Sequence, residues 1–211
     1  MGMKNKKSEY RKYREGLWLP YRYVLYSYWY QFLKIAYQEN RGINWKKYED
    51  WGTPEELFSQ SFRTWWEKNW KRLFAVKDAY SEEGKFLMST RYPKETAIKV
   101  ALEVYKLKTG YKKLKGHNNH TEKMVLRILD RKYRTLASEL IEKEQQKLNP
   151  RLLSKMENEI IFDLLKLYYP DKMGSISGKG DGGTREINRT IKRYKTQAEK
   201  ILQNVCEGQF P

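Results

Sequence analysis

The sequence predicts an all-α protein, a bundle of about six helices with at most one short strand pair, near residues 85–92. Two observations lead to this fold class. Apolar residues recur at three- and four-residue spacing through most of the chain, which is the period of amphipathic helices. Aromatic residues make up 15% of the 211 residues, so a core of large side chains can form although only 39% of the residues are hydrophobic.

The distribution of residue types predicts four segments. Aromatic residues are concentrated in the first half of the chain, and basic residues form clusters and stripes in the second half. We therefore predict a basic N-terminal arm at 1–16, an aromatic helical subdomain at 17–76, a connector at 77–93, and a basic helical subdomain at 94–211 with a flexible Gly-rich loop at 174–183.

The aromatic run at 17–37 predicts the central helix of the bundle. At helical spacing it forms one broad apolar face, which includes Tyr28, Trp29 and Phe32, and Pro20 suits its first turn. Four further tyrosines fall outside this face: Tyr23, Tyr26, Tyr30 and Tyr37. Two interpretations are open, because these tyrosines either extend the core or stay exposed and stack on nucleobases or on a partner protein.

A short helical turn is predicted after this helix, between Gly42 and Gly52. Trp45, Tyr48 and Trp51 recur there at every third residue. This spacing is typical of one turn that packs its aromatic side against a neighbour.

The next helix, predicted at 53–76, has the best-marked start in the chain. Thr53 is suited to cap it, Pro54 to occupy its first position, and Glu56 to complete a capping box. An aromatic stripe follows, and it predicts packing against the helix at 17–37. The stripe consists of Phe58, Phe62, Trp65, Trp66, Leu73 and Phe74.

A cluster of lysines surrounds the predicted end of the following helix, at 94–108. Gly110 is a natural stop for this helix. The lysines are Lys106, Lys108, Lys112, Lys113 and Lys115, with Tyr111 among them. Because like charges repel, the cluster is a candidate phosphate-contacting segment. The alternative is that these lysines oppose the helix macrodipole.

A long helix is predicted from the turn at 116–121 to about residue 147, and an apolar helix follows at 150–170. One face of the long helix carries a basic stripe in its first half: Lys123, Arg127, Arg131 and Arg134. Two explanations of this stripe are open: its residues contact phosphates, or they form a solvated surface.

The clearest amphipathic pattern lies at 184–205, and Gly208 is expected to end this helix. Its core face consists of Ile187, Ile191, Tyr194, Ala198, Ile201 and Val205. The opposite face carries Arg185, Arg189, Lys192, Arg193, Thr196 and Lys200. Arg185, Asn188 and Arg189 are also residue types that read base edges in the major groove.

The charge predicts a polyanionic partner. The chain has 43 Lys and Arg against 26 Asp and Glu, a net charge of +17. Such an excess is typical of proteins that bind DNA, RNA, an anionic membrane or an acidic protein. The predicted phosphate-contacting residues are Lys106, Lys108, Lys112, Lys113, Lys115, Arg127, Arg131, Arg134, Arg185, Arg189, Lys192 and Arg193. The predicted base-stacking residues are Tyr10, Tyr13 and Tyr111.

The sequence carries no recognisable catalytic motif, and we expect neither a cofactor nor a metal. The loop at 174–183 lacks the Walker A spacing and a preceding strand, so it is not a P-loop. His117 and His120 form at most an incomplete metal site, and Cys206 is the only cysteine. A divergent metal-dependent nuclease, with ligands far apart in the sequence, stays an open alternative.

We therefore expect a cytoplasmic, non-catalytic nucleic-acid-binding protein that contacts the phosphate backbone. Its composition is similar to that of accessory proteins of phages, mobile elements and defence systems, so we expect an accessory subunit of a larger ribonucleoprotein or DNA-processing complex. The expected partners are DNA or RNA and other protein subunits, and not a membrane, because Arg22 and Lys34 interrupt the aromatic run. The alternative is a protein–protein interaction module or inhibitor that uses its aromatic surface against an acidic partner.

Overall fold

The computed structural model describes residues 11–12, 16–77, 86, 88, 94–114, 158, 161–162, 165–166 and 180–211. This part of the chain is mostly helical, in agreement with the predicted all-α class. Its helices are α1 (Tyr23–Gln38), α2 (Pro54–Phe58), α3 (Phe62–Leu73), α4 (Glu95–Leu114) and α5 (Gly180–Cys206). Its strands are β1 (Arg11–Lys12) and β2 (Trp18–Leu19). The count of about six helices stays a prediction, because the helix predicted up to residue 147 lies outside the described residues.

The first helix starts later than predicted because the residues before it pair as a strand. β1 and β2 are antiparallel, with Arg11 opposite Leu19 and Lys12 opposite Trp18. Trp18 also pairs with Val76: each backbone N–H donates to the other residue's carbonyl oxygen, at 2.9 and 2.8 Å. Backbone groups engaged in this way cannot make helical hydrogen bonds. The prediction of helix at 17–22 is therefore wrong.

Helix α1 is buried on most of its circumference. Trp29, Phe32 and Leu33 have no exposed surface. Tyr26 and Tyr30 were predicted to lie outside the apolar face, yet they are only 1% and 3% exposed. Of the two interpretations left open for these two residues, the structure therefore supports an extension of the core, because neighbouring segments cover α1 on that side as well. The two tyrosines belong to the core.

Tyr30 illustrates how this core accommodates a tyrosine. Its hydroxyl donates toward the backbone carbonyl oxygens of Leu57 and Gln60, at 2.8 and 3.0 Å. Burial raises the pKa of this hydroxyl above its ordinary value. The polar end of the side chain therefore ties α1 to the end of α2.

The start predicted for the second aromatic helix is confirmed. The Thr53 hydroxyl accepts from the Glu56 backbone N–H, and the Glu56 carboxylate accepts from the Thr53 backbone N–H, each at 3.3 Å. These two bonds form the predicted capping box and satisfy donors that the first turn leaves unpaired.

The helix predicted at 53–76 is divided into α2 and α3. Ser61 has extended backbone angles, φ −71° and ψ 152°, and its hydroxyl accepts from the Thr64 backbone N–H at 3.1 Å. A serine in this conformation begins a new helix. The aromatic stripe is therefore carried by two helices, and Phe58 of α2 and Phe62 of α3 both pack against Tyr30 of α1.

The predicted packing of the two aromatic elements is confirmed. Tyr23 and Tyr26 of α1 approach the Trp66 ring, with centroid distances of 5.1 and 5.2 Å. Tyr30 lies 5.8 Å from Trp65. Aromatic pairs at such separations attract each other in addition to burying apolar area.

Two 3₁₀ turns, Trp45–Lys47 and Glu49–Trp51, stand where a single turn was predicted. Tyr48 lies between them and has no exposed surface. Its hydroxyl accepts from the Trp29 indole N–H at 2.9 Å and donates to the Val205 carbonyl oxygen at 2.6 Å. Burial raises its pKa well above the ordinary tyrosine value.

Gly208 ends α5 as predicted, in a Schellman motif. Its φ is +75°, its N–H donates to the Val205 carbonyl oxygen at 3.1 Å, and the Gln209 N–H donates to the Asn204 carbonyl oxygen at 2.9 Å. A Cβ atom at this position would lie 2.6 Å from the Lys47 Cβ. Both the backbone angle and the close approach therefore require glycine.

The segment after α5 enters the aromatic core. Phe210 is fully buried and stacks on Trp29, with ring centroids 5.4 Å apart and planes inclined by 14°. The Asn204 side-chain amide donates to the Pro211 carbonyl oxygen at 2.9 Å, and the Asn44 backbone N–H donates to the Cys206 carbonyl oxygen at 2.8 Å. These contacts hold the segment against the 3₁₀ turns and α1.

The chain divides into two compact units. One unit comprises Met1–Lys99 together with Glu199–Pro211, and the other comprises Val100–Ala198. The aromatic core described above lies in the first unit, which also includes α5 from Glu199 onward, about two helical turns. The predicted segments 1–16, 17–76, 77–93 and 94–211 stay predictions.

The bounds of α4 and α5 differ from those predicted. α4 passes through Gly110 and continues to Leu114, so the predicted end is wrong. A single glycine costs a helix interior only about 1 kcal/mol, which the neighbouring helix formers offset. α5 begins at Gly180, inside the predicted loop, whose residues 174–179 lie outside the described part. The strand pair predicted near 85–92 falls on a stretch of which only Phe86 and Met88 are described.

Candidate functional site

Helix α5 separates its apolar and basic faces as the sequence predicts. The predicted core residues are all buried: Ile187, Ile191, Tyr194, Ala198, Ile201 and Val205. The predicted opposite face is exposed: Arg185, Arg189, Lys192, Arg193, Thr196 and Lys200. Burial of the apolar face fixes the rotation of the helix, and this rotation turns the cations outward.

Four of these exposed cations form the basic face of α5, namely Arg185, Arg189, Lys192 and Arg193. The three arginines follow each other at four-residue steps, so they lie on one side of the helix, with about 6 Å of helix rise between successive positions. The row is about 12 Å long, a length of duplex axis along which each strand of double-stranded DNA carries about three to four phosphates.

An open pocket of about 400 Å³ lies along this row. Among the described residues it is lined by Arg185, Glu186, Arg189, Thr190 and Arg193. Thr190 is only 6% exposed, whereas the neighbouring Arg189 is exposed. All five residues belong to the second unit.

The arginines of the basic face are not neutralised by carboxylates within the part of the chain that is described. In the first unit, Arg22 pairs with Glu95 at 3.3 Å and Arg41 pairs with Glu199 at 2.9 Å. None of the ion pairs between described residues involves an arginine of the basic face.

Arg193 has a planar neighbour. Its guanidinium carbon lies 5.0 Å from the centre of the Tyr194 ring. A cation at this distance from an aromatic face is attracted to it, and the contact restricts the side chain. Less conformational freedom is then lost when the arginine binds a ligand.

Asn188 is less suited to base reading than its sequence position suggested. Its side-chain N–H donates to the Thr184 carbonyl oxygen at 3.0 Å, and its side-chain oxygen accepts from the Asn158 amide. Reading adenine requires both the donor and the acceptor of an asparagine. One N–H of Asn188 therefore bonds within α5, and its oxygen bonds to Asn158, which leaves fewer free groups for a base.

The other predicted contact residues are described incompletely. Lys106 is exposed and Lys108 is half-buried on α4, and Tyr111, Lys112 and Lys113 lie on the helical backbone of its last turn. Several predicted residues lie outside the described residues: Tyr10, Tyr13, Lys115, Arg127, Arg131 and Arg134. Their roles stay predictions.

Two lining residues were missed by sequence reasoning, namely Glu186 and Thr190. The helical pattern contained a signal for both. Glu186 precedes Arg189 by three residues and Thr190 by four, which places it beside both of them on a helix. Thr190 is adjacent to Arg189 at the border of the apolar face.

Within the described ranges, no group of three or more His, Cys, Asp and Glu residues is placed to hold a metal ion. No helix among them is long and apolar enough to cross a membrane. Cys206 is buried, and burial raises the pKa of its thiol.

No family model matches this sequence, and no curated protein or solved structure is significantly similar to it.

Proposed function

We propose that this protein binds nucleic acid without catalysing a reaction on it, and that the basic face of α5 contacts the phosphate backbone. The observation that supports this proposal is the row of arginines along an open pocket, left without carboxylate partners among the described residues. Arginine guanidinium groups bind phosphate through two parallel hydrogen bonds, which favours this ligand over an unspecific anion.

The net charge of +17 supports the same proposal, because binding to phosphates releases condensed counterions and gains free energy from doing so. We also propose that the protein is an accessory subunit of a larger complex. This part of the proposal rests on the basic and aromatic-rich composition of the chain.

A protein–protein interaction module is the weaker alternative. This alternative requires exposed aromatic side chains. Tyr26 and Tyr30, however, are buried in the core of the first unit. Tyr23 is 39% exposed, but its ring also packs on Phe62 and Trp66.

The test is the salt dependence of binding, measured by fluorescence anisotropy. Duplex DNA, single-stranded DNA and single-stranded RNA of equal length are titrated with the wild type and with the double variant Arg185→Gln/Arg189→Gln. We expect weaker binding by the variant. The slope of log K against log salt should become shallower by about 0.7 to 0.9 for each phosphate that the variant no longer neutralises.

Arg63→Gln is the matched control, because Arg63 is an exposed arginine of α3 that takes part in none of the described ion pairs. It should leave the slope unchanged. Absence of wild-type binding at low salt would contradict the proposed function, and equal slopes for wild type and double variant would remove α5 from the site.

A further inference from the structure

The exposed residues of α5 in the second unit form a strip along the helix. Successive residues of an α-helix are rotated by about 100°, so the exposed positions of 185–196 span about 120° of its circumference. On one side the strip ends at Asn188, which bonds to Asn158, and on the other side it ends at Thr190, which is 6% exposed. Its charged residues are the four cations of the basic face and one carboxylate, Glu186, at its edge.

The row of three arginines crosses this strip obliquely. A step of four residues rotates by about 40° more than a full turn, so Arg189 lies in the middle, between Arg185 on one side and Arg193 on the other. Lys192 lies on the same side as Arg185. The Arg193 guanidinium carbon lies 5.0 Å from the ring centre of Tyr194, a residue still farther from the middle on that side. Both sides of the strip therefore carry cations, and its middle carries Arg189.

This arrangement matches the major groove of double-stranded DNA. The groove is about 12 Å wide and admits one α-helix, whose diameter with side chains is about 10 to 12 Å. A helix in the groove directs its middle toward the base edges and its two sides toward the phosphates of the two strands. An arginine in the middle can donate two hydrogen bonds to O6 and N7 of guanine, the commonest specific contact between proteins and DNA.

Other forms of nucleic acid suit the strip less well. The major groove of an RNA duplex is deep and narrow, so side chains cannot read it. Single strands are bound through aromatic side chains on which their bases stack. The one aromatic residue of α5 is Tyr194, and it is only 8% exposed. The described residues of α5 therefore favour duplex DNA over duplex RNA and over single strands.

We infer that the basic face of α5 binds the major groove of double-stranded DNA, and that Arg189 binds the base edges there and prefers guanine. This inference rests on the proposed function. Arg185 and Lys192 contact the phosphates of one strand, and Arg193 contacts those of the other. Arg189 thus determines base preference, whereas the cations at the sides contribute affinity without base preference.

The test compares five nucleic acids of equal length by fluorescence anisotropy: a G·C-rich DNA duplex, one of its strands alone, the same duplex with 7-deazaguanine in place of guanine, an A·T DNA duplex, and an RNA duplex of the G·C-rich sequence. 7-Deazaguanine pairs with cytosine but lacks the N7 acceptor. We expect the wild type to bind the G·C-rich DNA duplex about tenfold more tightly than the A·T duplex, the scale of one arginine–guanine contact. It should also bind this duplex more tightly than the other three ligands.

Two variants of the same face separate base reading from phosphate contact. Arg189→Ala should bind the G·C-rich and A·T duplexes with equal affinity, because the contact to guanine is removed. Arg185→Ala is the matched control. It should weaken binding to both duplexes by the same factor, keep the preference for the G·C-rich duplex, and make the slope of log K against log salt shallower by about 0.9, the value for one phosphate.

Equal wild-type affinity for the G·C-rich duplex and its 7-deazaguanine form would overturn the inference. Binding of the single strand or of the RNA duplex as tightly as the DNA duplex would overturn it as well. So would a preference that is lost in Arg185→Ala and kept in Arg189→Ala, because Arg189 would then not read the base. Each of these results leaves the proposed function standing. Absence of wild-type binding to every ligand would contradict the proposed function itself.

Discussion

A single hydroxyl group, that of Tyr48, links three parts of the first unit. It accepts from Trp29 of α1 and donates to the backbone of Val205 near the end of α5. Tyr48 itself lies between the two 3₁₀ turns. Because the site is fully buried, water cannot replace either hydrogen bond when the hydroxyl is removed.

We therefore expect Tyr48→Phe to lower the free energy of unfolding by about 1 to 3 kcal/mol, since the indole N–H and the carbonyl group lose a buried partner. Urea denaturation followed by tryptophan fluorescence measures this change. Tyr37→Phe is the matched control, because none of the described hydrogen bonds involves the Tyr37 hydroxyl. A change below about 0.5 kcal/mol is expected there. Equal losses for both variants would contradict the proposed linking role.

The same residue predicts a loss of stability in alkali. Burial raises the pKa of Tyr48 above its ordinary value of 10.0, so the folded protein holds this proton more tightly than the unfolded chain does. The resulting stabilisation is fully present below about pH 10 and is lost as the pH rises above that value. The free energy of unfolding should therefore fall as the pH rises above about 10, and it should fall less steeply in Tyr48→Phe. Parallel curves for the two proteins would refute this assignment.

At the scale of elements, a serine decides where one helix becomes two. Ser59 and Ser61 lie two residues apart, but only Ser61 caps α3, by accepting from the Thr64 backbone N–H. The Ser59 hydroxyl instead donates to the Glu56 carbonyl oxygen within the last turn of α2. The same residue type therefore has different roles at the two positions.

Ser61→Ala should lower the free energy of unfolding by about 1 kcal/mol, because a backbone donor in the first turn of α3 loses its acceptor. Ser59→Ala is the control and should change stability by less than about 0.5 kcal/mol. Both values come from urea denaturation. A larger loss for Ser59→Ala than for Ser61→Ala would contradict the assignment of the cap.

Helix α5 has two different surroundings along its length. Its basic face lies in the second unit, whereas its last two turns, from Glu199, lie in the first unit and end in the Schellman motif at Gly208. The apolar stripe is continuous through both parts, from Ile187 to Val205. One amphipathic element thus carries a candidate binding surface and part of the aromatic core.

At the scale of the whole molecule, the aromatic core of the first unit requires residues from both ends of the sequence. Phe210 stacks on Trp29 and lies 6.2 Å from Phe32. Residues separated by most of the chain must therefore meet before this core is complete. Closing such a long loop costs entropy, which the burial of large aromatic surfaces offsets.

Phe210→Ala should lower the free energy of unfolding by about 3 to 5 kcal/mol, because it leaves a cavity against Trp29. Gln209→Ala, at the exposed neighbouring position, should change it by less than about 0.5 kcal/mol. Urea denaturation monitored by tryptophan fluorescence compares the two. A loss below about 1 kcal/mol for Phe210→Ala would show that the core forms without this residue.

The sequence by itself determined the helical class, the Thr53 capping box, the two faces of α5 and its end at Gly208. All of these depend on neighbours within a few residues, because helical periodicity and capping are local interactions. The positions of Arg185, Arg189 and Arg193 on an exposed face followed from the same periodicity. The arginine row of the candidate site could therefore be predicted without a structure.

Only the tertiary structure decided which of the off-face tyrosines are buried and where α1 begins. Tyr26 and Tyr30 are core residues because α1 is covered on several sides, and residues 18–19 form a strand because Val76 binds the Trp18 backbone. Asn188 is engaged by Asn158, and Phe210 stacks on a tryptophan far away in the chain. Each outcome depends on partners distant in sequence, and a local pattern contains no information about them.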